Sequence, residues 1–407
     1  MKGIKVMTNL KLNFILLVTF IPFIFLSFNI AANEKYAGGL HTHSKAPSSL
    51  SFNRPSPTLT FEEGLDFQVG KAIFEKIWVF SPSSTTASDG LGPLYNARAC
   101  ERCHKGNGRG ILEGEHSSSP ALFLRLSILP TTHVHKALLE SGKHGVIAEP
   151  TYGTQLQTFA YPGGFAEGQL VVEYSSTKVT LGHQADPNAK IVELLKPRYT
   201  IKNLGYGPMH ENLLFSPRIS PPLIGLGLLE AIDENDILAR SDPDDLDSDG
   251  ISGKANKVWD YSTNQTRLGR FGWKAGTPSL TQQNSAALSG DIGISTHLFP
   301  KHAGDCTRNQ TACLNQKHGN IPLDAPNKNE FEAPQSMTDL LLFYIRNTAS
   351  PQSRMLNNPK RNEGKLLFTS AGCPLCHQPS YTTSTNALQK SHQNQTIWPY
   401  SDLLLHD

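Results

Sequence analysis

The chain has 407 residues, of which 38% are hydrophobic and 18% charged, a composition that folds rather than stays disordered. That length admits two or three domains around a sizeable core. A formal net charge of +2, with no dense Lys/Arg run, gives no case for nucleic acid as a partner.

Lys2, Lys5 and Lys11 precede an apolar run from Phe14 to Phe28, and Ala31 and Ala32 follow it. This is the shape of a secretory signal peptide over residues 1–32, although Ile30 stands where a cleavage site prefers Ala. An uncleaved anchor is the alternative, but the run is short for a span and contains Pro22. The expected location is therefore the periplasm, reached by export.

Gly70-Lys71-Ala72-Ile73-Phe74 opens the mature part, with Ile73, Phe74, Ile77 and Trp78 predicted on one helical face. Cys100-Glu101-Arg102-Cys103-His104 follows, and Cys373-Pro374-Leu375-Cys376-His377 repeats the pattern near the end. Chance would produce one such motif roughly 0.003 times in this composition, and the motif is a c-haem signature. Two thiols about one helical turn apart suit the two vinyl groups of haem, and the next His lies under the iron. A zinc site built from the four thiolates would leave both His residues unexplained. A redox Cys-x-x-Cys reading does not call for His twice either.

Gly364-Lys365-Leu366-Leu367-Phe368 precedes the second motif as Gly70 to Phe74 precedes the first, a weak internal repeat. It suggests two cytochrome-like modules. Between them, residues 150–215 are predicted β-rich, with Leu170, Val172 and Tyr174 at alternate positions. Residues 222–239 and 337–346 read as helical, the latter strongly apolar with Pro351 beyond its end.

Asp245, Asp247 and Asp249 stand at alternate positions before Gly250, as in the first half of a calcium loop. The twelfth position is Asn256 rather than Glu, and a solvated acidic turn is the alternative. Cys306 and Cys313 bracket a polar loop, and a structural disulfide is the plain reading in an oxidising compartment.

The segments Gly90 to Arg98 before Cys100, Gly225 to Ile232, Asp249 to Gly253 and Gly272-Trp273-Lys274 together resemble the di-haem oxidoreductase family of peroxidases, once labelled thiol oxidoreductases. The resemblance runs from about Phe61 to the end of the chain. It implies two covalently bound haem c groups, attached at Cys100, Cys103, Cys373 and Cys376, with His104 and His377 as proximal iron ligands. The family is distantly similar to bacterial di-haem cytochrome c peroxidases, which hold calcium between their haems.

The expected architecture is mainly α: two cytochrome c-like haem modules, residues 33–149 and 336–407, flanking a mixed α/β insertion at 150–335. The second module is expected to be incomplete at its C-terminus, because Ser401 to Asp407 resembles the start of a family motif that runs on into Met-Gly. Candidate sixth ligands and acid–base groups are His392, His406, Met337, Met355, Glu113, Glu115 and His116, with Trp78 and Trp273 as candidates for a path between haems. The expected activity is reduction of hydrogen peroxide with electrons from a small donor such as a cytochrome or cupredoxin. The alternatives are a non-catalytic di-haem electron carrier and, third, an oxidase or oxygenase.

Overall fold

The computed structural model describes residues 34–112, 119–181, 190–319 and 330–406. The apolar N-terminal run, Glu113, Glu115 and His116 lie outside the described residues. No helix among the described residues is long and apolar enough to cross a membrane.

Two helices build the largest core. Helix α1 (Phe61–Glu75) starts at a capping box: the Thr60 hydroxyl accepts from Glu63 N–H at 3.2 Å and the Glu63 carboxylate accepts from Thr60 N–H at 2.8 Å. Among the described residues eight further α-helices follow in chain order: α2 (Cys100–Cys103), α3 (His133–Glu140), α4 (Leu226–Glu230), α5 (Glu234–Leu238), α6 (Leu280–Ala287), α7 (Thr311–Leu314), α8 (Gln335–Arg346) and α9 (Pro359–Ser370). Leu341, Tyr344 and Ile345 recur at helical spacing on α8 and bury one face against α1. A Cβ on Gly70 would lie 2.2 Å from the Leu340 carbonyl oxygen, so this crossing requires glycine. Phe67, Phe74, Trp78, Leu91, Leu280, Leu288 and Ile294 complete the core.

Among the described residues, strands β1 (Thr42–His43), β2 (Leu94–Tyr95), β3 (Leu122–Ile128), β4 (Phe159–Ala160), β5 (Gln169–Leu181), β6 (Lys190–Lys202), β7 (Leu213–Ile219), β8 (Lys257–Asp260), β9 (Gln265–Leu268), β10 (Ser350–Pro351), β11 (Tyr381–Thr382) and β12 (Thr396–Ile397) form six two-stranded sheets. Strands β1 (Thr42–His43) and β10 (Ser350–Pro351) pair in parallel, tying the N-terminal strap to the segment after α8. Strands β3 (Leu122–Ile128) and β7 (Leu213–Ile219) pair antiparallel, and Leu122, Leu124, Leu126 and Ile128 alternate inward. Strands β5 (Gln169–Leu181) and β6 (Lys190–Lys202) form a long ribbon. Its base, at Leu170 and Ile201, packs on Leu124, Tyr152 and Leu156.

These observations correct the expectation of a mainly α fold: of the described residues, 28% are helix and 22% strand. The β-rich stretch extends beyond 150–215 to β3 before it, and the helical stretch 222–239 consists of two five-residue helices. The helices beside the two Cys-x-x-Cys-His motifs leave a periodic trace, whereas short strands paired across distant segments leave little, which tilts a sequence-based expectation toward α. Ile77 and Trp78 lie past the end of α1; Trp78 is buried there, while Ile77 is half exposed.

Candidate functional site

The two Cys-x-x-Cys-His segments adopt the same local geometry. His104 N–H donates to the Cys100 carbonyl at 3.0 Å, and His377 N–H donates to the Cys373 carbonyl at 2.9 Å. Each motif therefore closes one turn, which sets its two thiols on one side and its imidazole next to them. The first turn is α2; the second is a 3-10 turn over Cys373–Leu375, entered through Gly372 at φ 75°.

The imidazoles are held alike. His104 Nδ1 lies 2.8 Å from the Pro221 carbonyl oxygen, and His377 Nδ1 lies 3.1 Å from that of Tyr400. A carbonyl oxygen only accepts, so Nδ1 carries the proton in both rings, and in the neutral ring Nε2 keeps its lone pair. That is the arrangement of a metal-ligating histidine. Each ring also meets the phenylalanine of its Gly-Lys-x-x-Phe helix: Phe74 to His104 at 6.4 Å and 52°, Phe368 to His377 at 6.3 Å and 56°. The weak sequence repeat is thus a repeat in space.

The electrostatics fit neutral thiols and a neutral imidazole. Burial, reinforced by the Asp291 carboxylate, pushes Cys100 and Cys103 up to about 12. Burial also raises Cys376, with Asp402 and Asp249 adding to it. Burial lowers His104. A thiolate zinc site needs the opposite bias. The thiols also do not gather: among the described residues the only group of three or more ligand side chains within 4.8 Å is Asp242, Asp245 and Asp247. Paired neutral thiols beside an Nε2 lone pair fit haem, with its two vinyl groups and one proximal iron position.

The surroundings of the two centres differ. Behind His104, Phe74 packs on Tyr344, whose hydroxyl accepts from Asn107 Nδ2 at 2.6 Å. Asp291 comes from a π-helical turn (Leu288–Ile292) that continues α6, and Gln155 Nε2 donates to it at 2.7 Å. The Cys103 thiol donates to the Pro120 carbonyl at 3.0 Å, and beside Pro120 opens a cleft of about 560 Å³ lined by Phe159, Phe165 and Leu170. Around the second centre the apolar side chains face outward: Leu366 is 73% exposed, Leu367 61% and Leu375 52%. An apolar face left open beside paired thiols is what a haem edge would cover.

Other candidates separate. His392 is buried against the His41 ring at 4.4 Å, and its Nε2 has no partner. Burial lowers it to about 3, aided by His41 and Arg346. His406 Nε2 pairs with Asp402 at 2.7 Å, and its Nδ1 lies 3.9 Å from Cys376 Sγ. Met337 packs partly buried on the α1–α8 core, whereas Met355 is exposed. Trp78 is buried under the Lys76 ammonium at 3.9 Å; Trp273 is 65% exposed under the Arg218 guanidinium at 4.2 Å.

The acidic loop brings Asp245 and Asp247 together with Asp242 rather than with Asp249, whose carboxylate accepts instead from Ile251 N–H at 2.8 Å. Asn256 turns away and donates to the Lys274 carbonyl at 2.9 Å. A disulfide joins Cys306 and Cys313 across a Cα–Cα distance of 6.4 Å. Its loop is anchored by Gln310 Nε2 to buried Glu167 at 2.6 Å and by Thr307 Oγ1 to the Thr151 carbonyl at 2.7 Å.

Sequence reading missed Pro221, Tyr400, Asp291 and Tyr344. Two of these act through backbone carbonyls, which every residue possesses and no motif advertises. Asp291 had one available signal, the Gly293 that closes its turn at φ 74° against Gly92.

No curated protein and no solved structure matches the chain. A family model described as "di-haem oxidoreductase, putative peroxidase" matches residues 31–407, and the chain belongs to that di-haem oxidoreductase family.

Proposed function

We propose that the chain is an exported di-haem c-type cytochrome that reduces hydrogen peroxide with electrons from a small donor protein, a cytochrome or a cupredoxin. The observation that carries this reading is the doubled centre: paired thiols, and a histidine whose Nδ1 is spent on a backbone carbonyl so that Nε2 is free for iron. Membership of the family supports haem and oxidoreductase chemistry at these positions.

Cys100 and Cys103 would hold one haem and Cys373 and Cys376 the other. In each attachment a thiol S–H adds across a vinyl C=C, so that the S–C bond forms at one carbon and the proton goes to the next. His104 and His377 would be the proximal ligands. Haem iron, when bound, supplies the transfer of two electrons to peroxide, which with two protons leaves as two waters. The chain's own work is orientation and polarity. Pro221 and Tyr400 fix the imidazole tautomers and rings, while Phe74 and Phe368 flank them. Asp291 sets a negative charge beside the first centre, as Asp402 and Asp249 do beside Cys376, and such charge would favour the oxidised form of a group held there.

Export is supported by residues 1–32 and suits the Cys306–Cys313 bridge. Asp242, Asp245 and Asp247 offer the oxygen ligands that calcium takes, and a melting temperature indifferent to calcium and chelator would remove it from the reading.

The test of the doubled centre is haem content. Wild type should carry two covalent haems by intact mass, and C100A/C103A and C373A/C376A one each. Covalent haem retained in full by both variants would sink the assignment.

A further inference from the structure

We infer that Glu34 is a positioning residue for the second centre, clamping His377 through Tyr400. The inference rests on the reading that Cys373, Cys376 and His377 hold a haem. Glu34 is 4% exposed, yet it carries a carboxylate, so it must be compensated by charge and hydrogen bonds. It is compensated by three groups that all belong to the second centre. Lys365 Nζ lies 2.6 Å from Glu34 Oε2, Arg361 lies 3.4 Å from the same oxygen, and the Tyr400 hydroxyl donates to Oε1. Two of these come from α9 and the third from the residue whose carbonyl holds His377.

Tyr400 is a residue that needs holding. Its backbone sits at φ 52°, a left-handed conformation that a bulky side chain seldom adopts unless its surroundings enforce it. Two contacts enforce it: the hydroxyl on Glu34, and the ring against Phe368 at 5.5 Å in an edge-on packing. Phe368 in turn packs on His377. The strap that carries Glu34 is fastened independently. Ser353 Oγ donates to the Glu34 carbonyl at 2.9 Å, Trp398 N–H donates to the Ala37 carbonyl at 2.8 Å, and Thr42 pairs with Ser350.

The first centre shows what the clamp adds. Lys71 occupies the place of Lys365 in the Gly-Lys-x-x-Phe repeat, and among the described residues it pairs with Glu75 of its own helix, at 3.6 Å. His104 leans on the carbonyl of Pro221, whose ring already restricts its backbone. The second centre leans on a left-handed tyrosine and recruits a carboxylate from more than three hundred residues away to fix it. A firm Nδ1–H to carbonyl bond makes the imidazole a stronger electron donor and favours oxidised iron. Loosening it should therefore raise the potential of the second haem and leave the first alone.

The experiment is an optical redox titration of the full-length, haem-loaded protein, with low-temperature EPR of the oxidised form, on wild type, E34Q, Y400F, E34Q/Y400F and K71Q. E34Q removes the charge and Y400F only the hydroxyl. The expected result is a threefold or larger shift of the second haem toward its reduced form in each single variant. That is about 28 mV, at 59 mV per tenfold for one electron. The double variant should shift little further, because both residues act through one contact. The first haem's potential and signal should not move, and K71Q should resemble wild type. Two intact haems whose potentials and EPR signals are unchanged in both E34Q and Y400F would overturn the inference. So would equal shifts at both haems. If haem at Cys373 and Cys376 is missing from wild type, the reading beneath the inference fails instead. Should E34Q not fold, the milder Y400F decides alone.

Discussion

A histidine that ligates iron must keep one ring nitrogen bare, and the cheapest way is to commit the other to a carbonyl. His104 and His377 both do this. His392 shows the contrasting case of a buried imidazole with no charge partner. The His41 ring and the Arg346 guanidinium face it, and burial holds it neutral down to about pH 3. The unfolded chain takes up this proton near pH 6.5, so folding opposes protonation between those two values. Stability from this site is complete above about 6.5 and falls with acid by up to about 1.4 kcal/mol per pH unit. Chemical denaturation of the loaded protein should show a shallower acid decline in H392N than in wild type. Equal slopes would show that His392 is solvated. At this scale the sequence marks Cys100, Cys103, His104, Cys373, Cys376 and His377 by spacing along the chain, and the structure closes each of the two motifs into one turn. Pro221 and Tyr400 were illegible, since a carbonyl oxygen carries no residue identity. Asp242 was passed over because the loop folds by its left-handed residues Asp245 and Ser248, which displaces Asp249 from the cluster.

The two Gly-Lys-x-x-Phe helices are alike in sequence and unlike in packing. In α1, Gly70 sits where a Cβ would meet the Leu340 carbonyl at 2.2 Å and Tyr344 Cβ at 2.7 Å. In α9, nothing lies within 4 Å of the corresponding position on Gly364. G70A should therefore destabilise by about 1–3 kcal/mol through overpacking at the α1–α8 crossing. G364A should be neutral or stabilise by about 0.5–1 kcal/mol, because alanine is the better helix former. Thermal melts of both variants check this, and a harmless G70A would mean that α1 and α8 do not cross as closely as described. The repeat that the sequence displays is thus one of centre geometry, not of environment. Helix α8 was readable from its apolar spacing; that it packs on α1, across the predicted module boundaries, was not. In the run Gly225 to Ile232, Gly227 owes its place to the same effect. A Cβ on Gly227 would meet the Arg346 carbonyl at 2.4 Å and His392 at 2.7 Å, so α4 can approach the end of α8 only without one.

Across the whole molecule, contacts between distant segments dominate, and this is why fold class was misread. Thr42 pairs with Ser350, Asn107 with Tyr344, Thr154 with Asp305, and Glu34 with Lys365. None of these leaves a periodic trace, whereas the helices beside the haem motifs do, which biased the reading toward α. The chain's mixed composition of strand and helix frames two centres that share one local geometry. One is enclosed beside Asp291 and a cleft; the other is open at Leu366, Leu367 and Leu375 and strapped by the N-terminal segment. On the proposed reading, one haem would receive electrons and the other would meet peroxide, and the two centres differ accordingly.

The most direct measurement is the optical spectrum of the haem-loaded protein, reduced by a known number of electrons, before and after a small excess of hydrogen peroxide. A peroxide-reducing di-haem centre predicts a high-spin ferric component and rapid reoxidation with two electrons consumed per peroxide. Two low-spin haems that stay reduced in peroxide would contradict it and leave a chain that carries electrons without a substrate of its own.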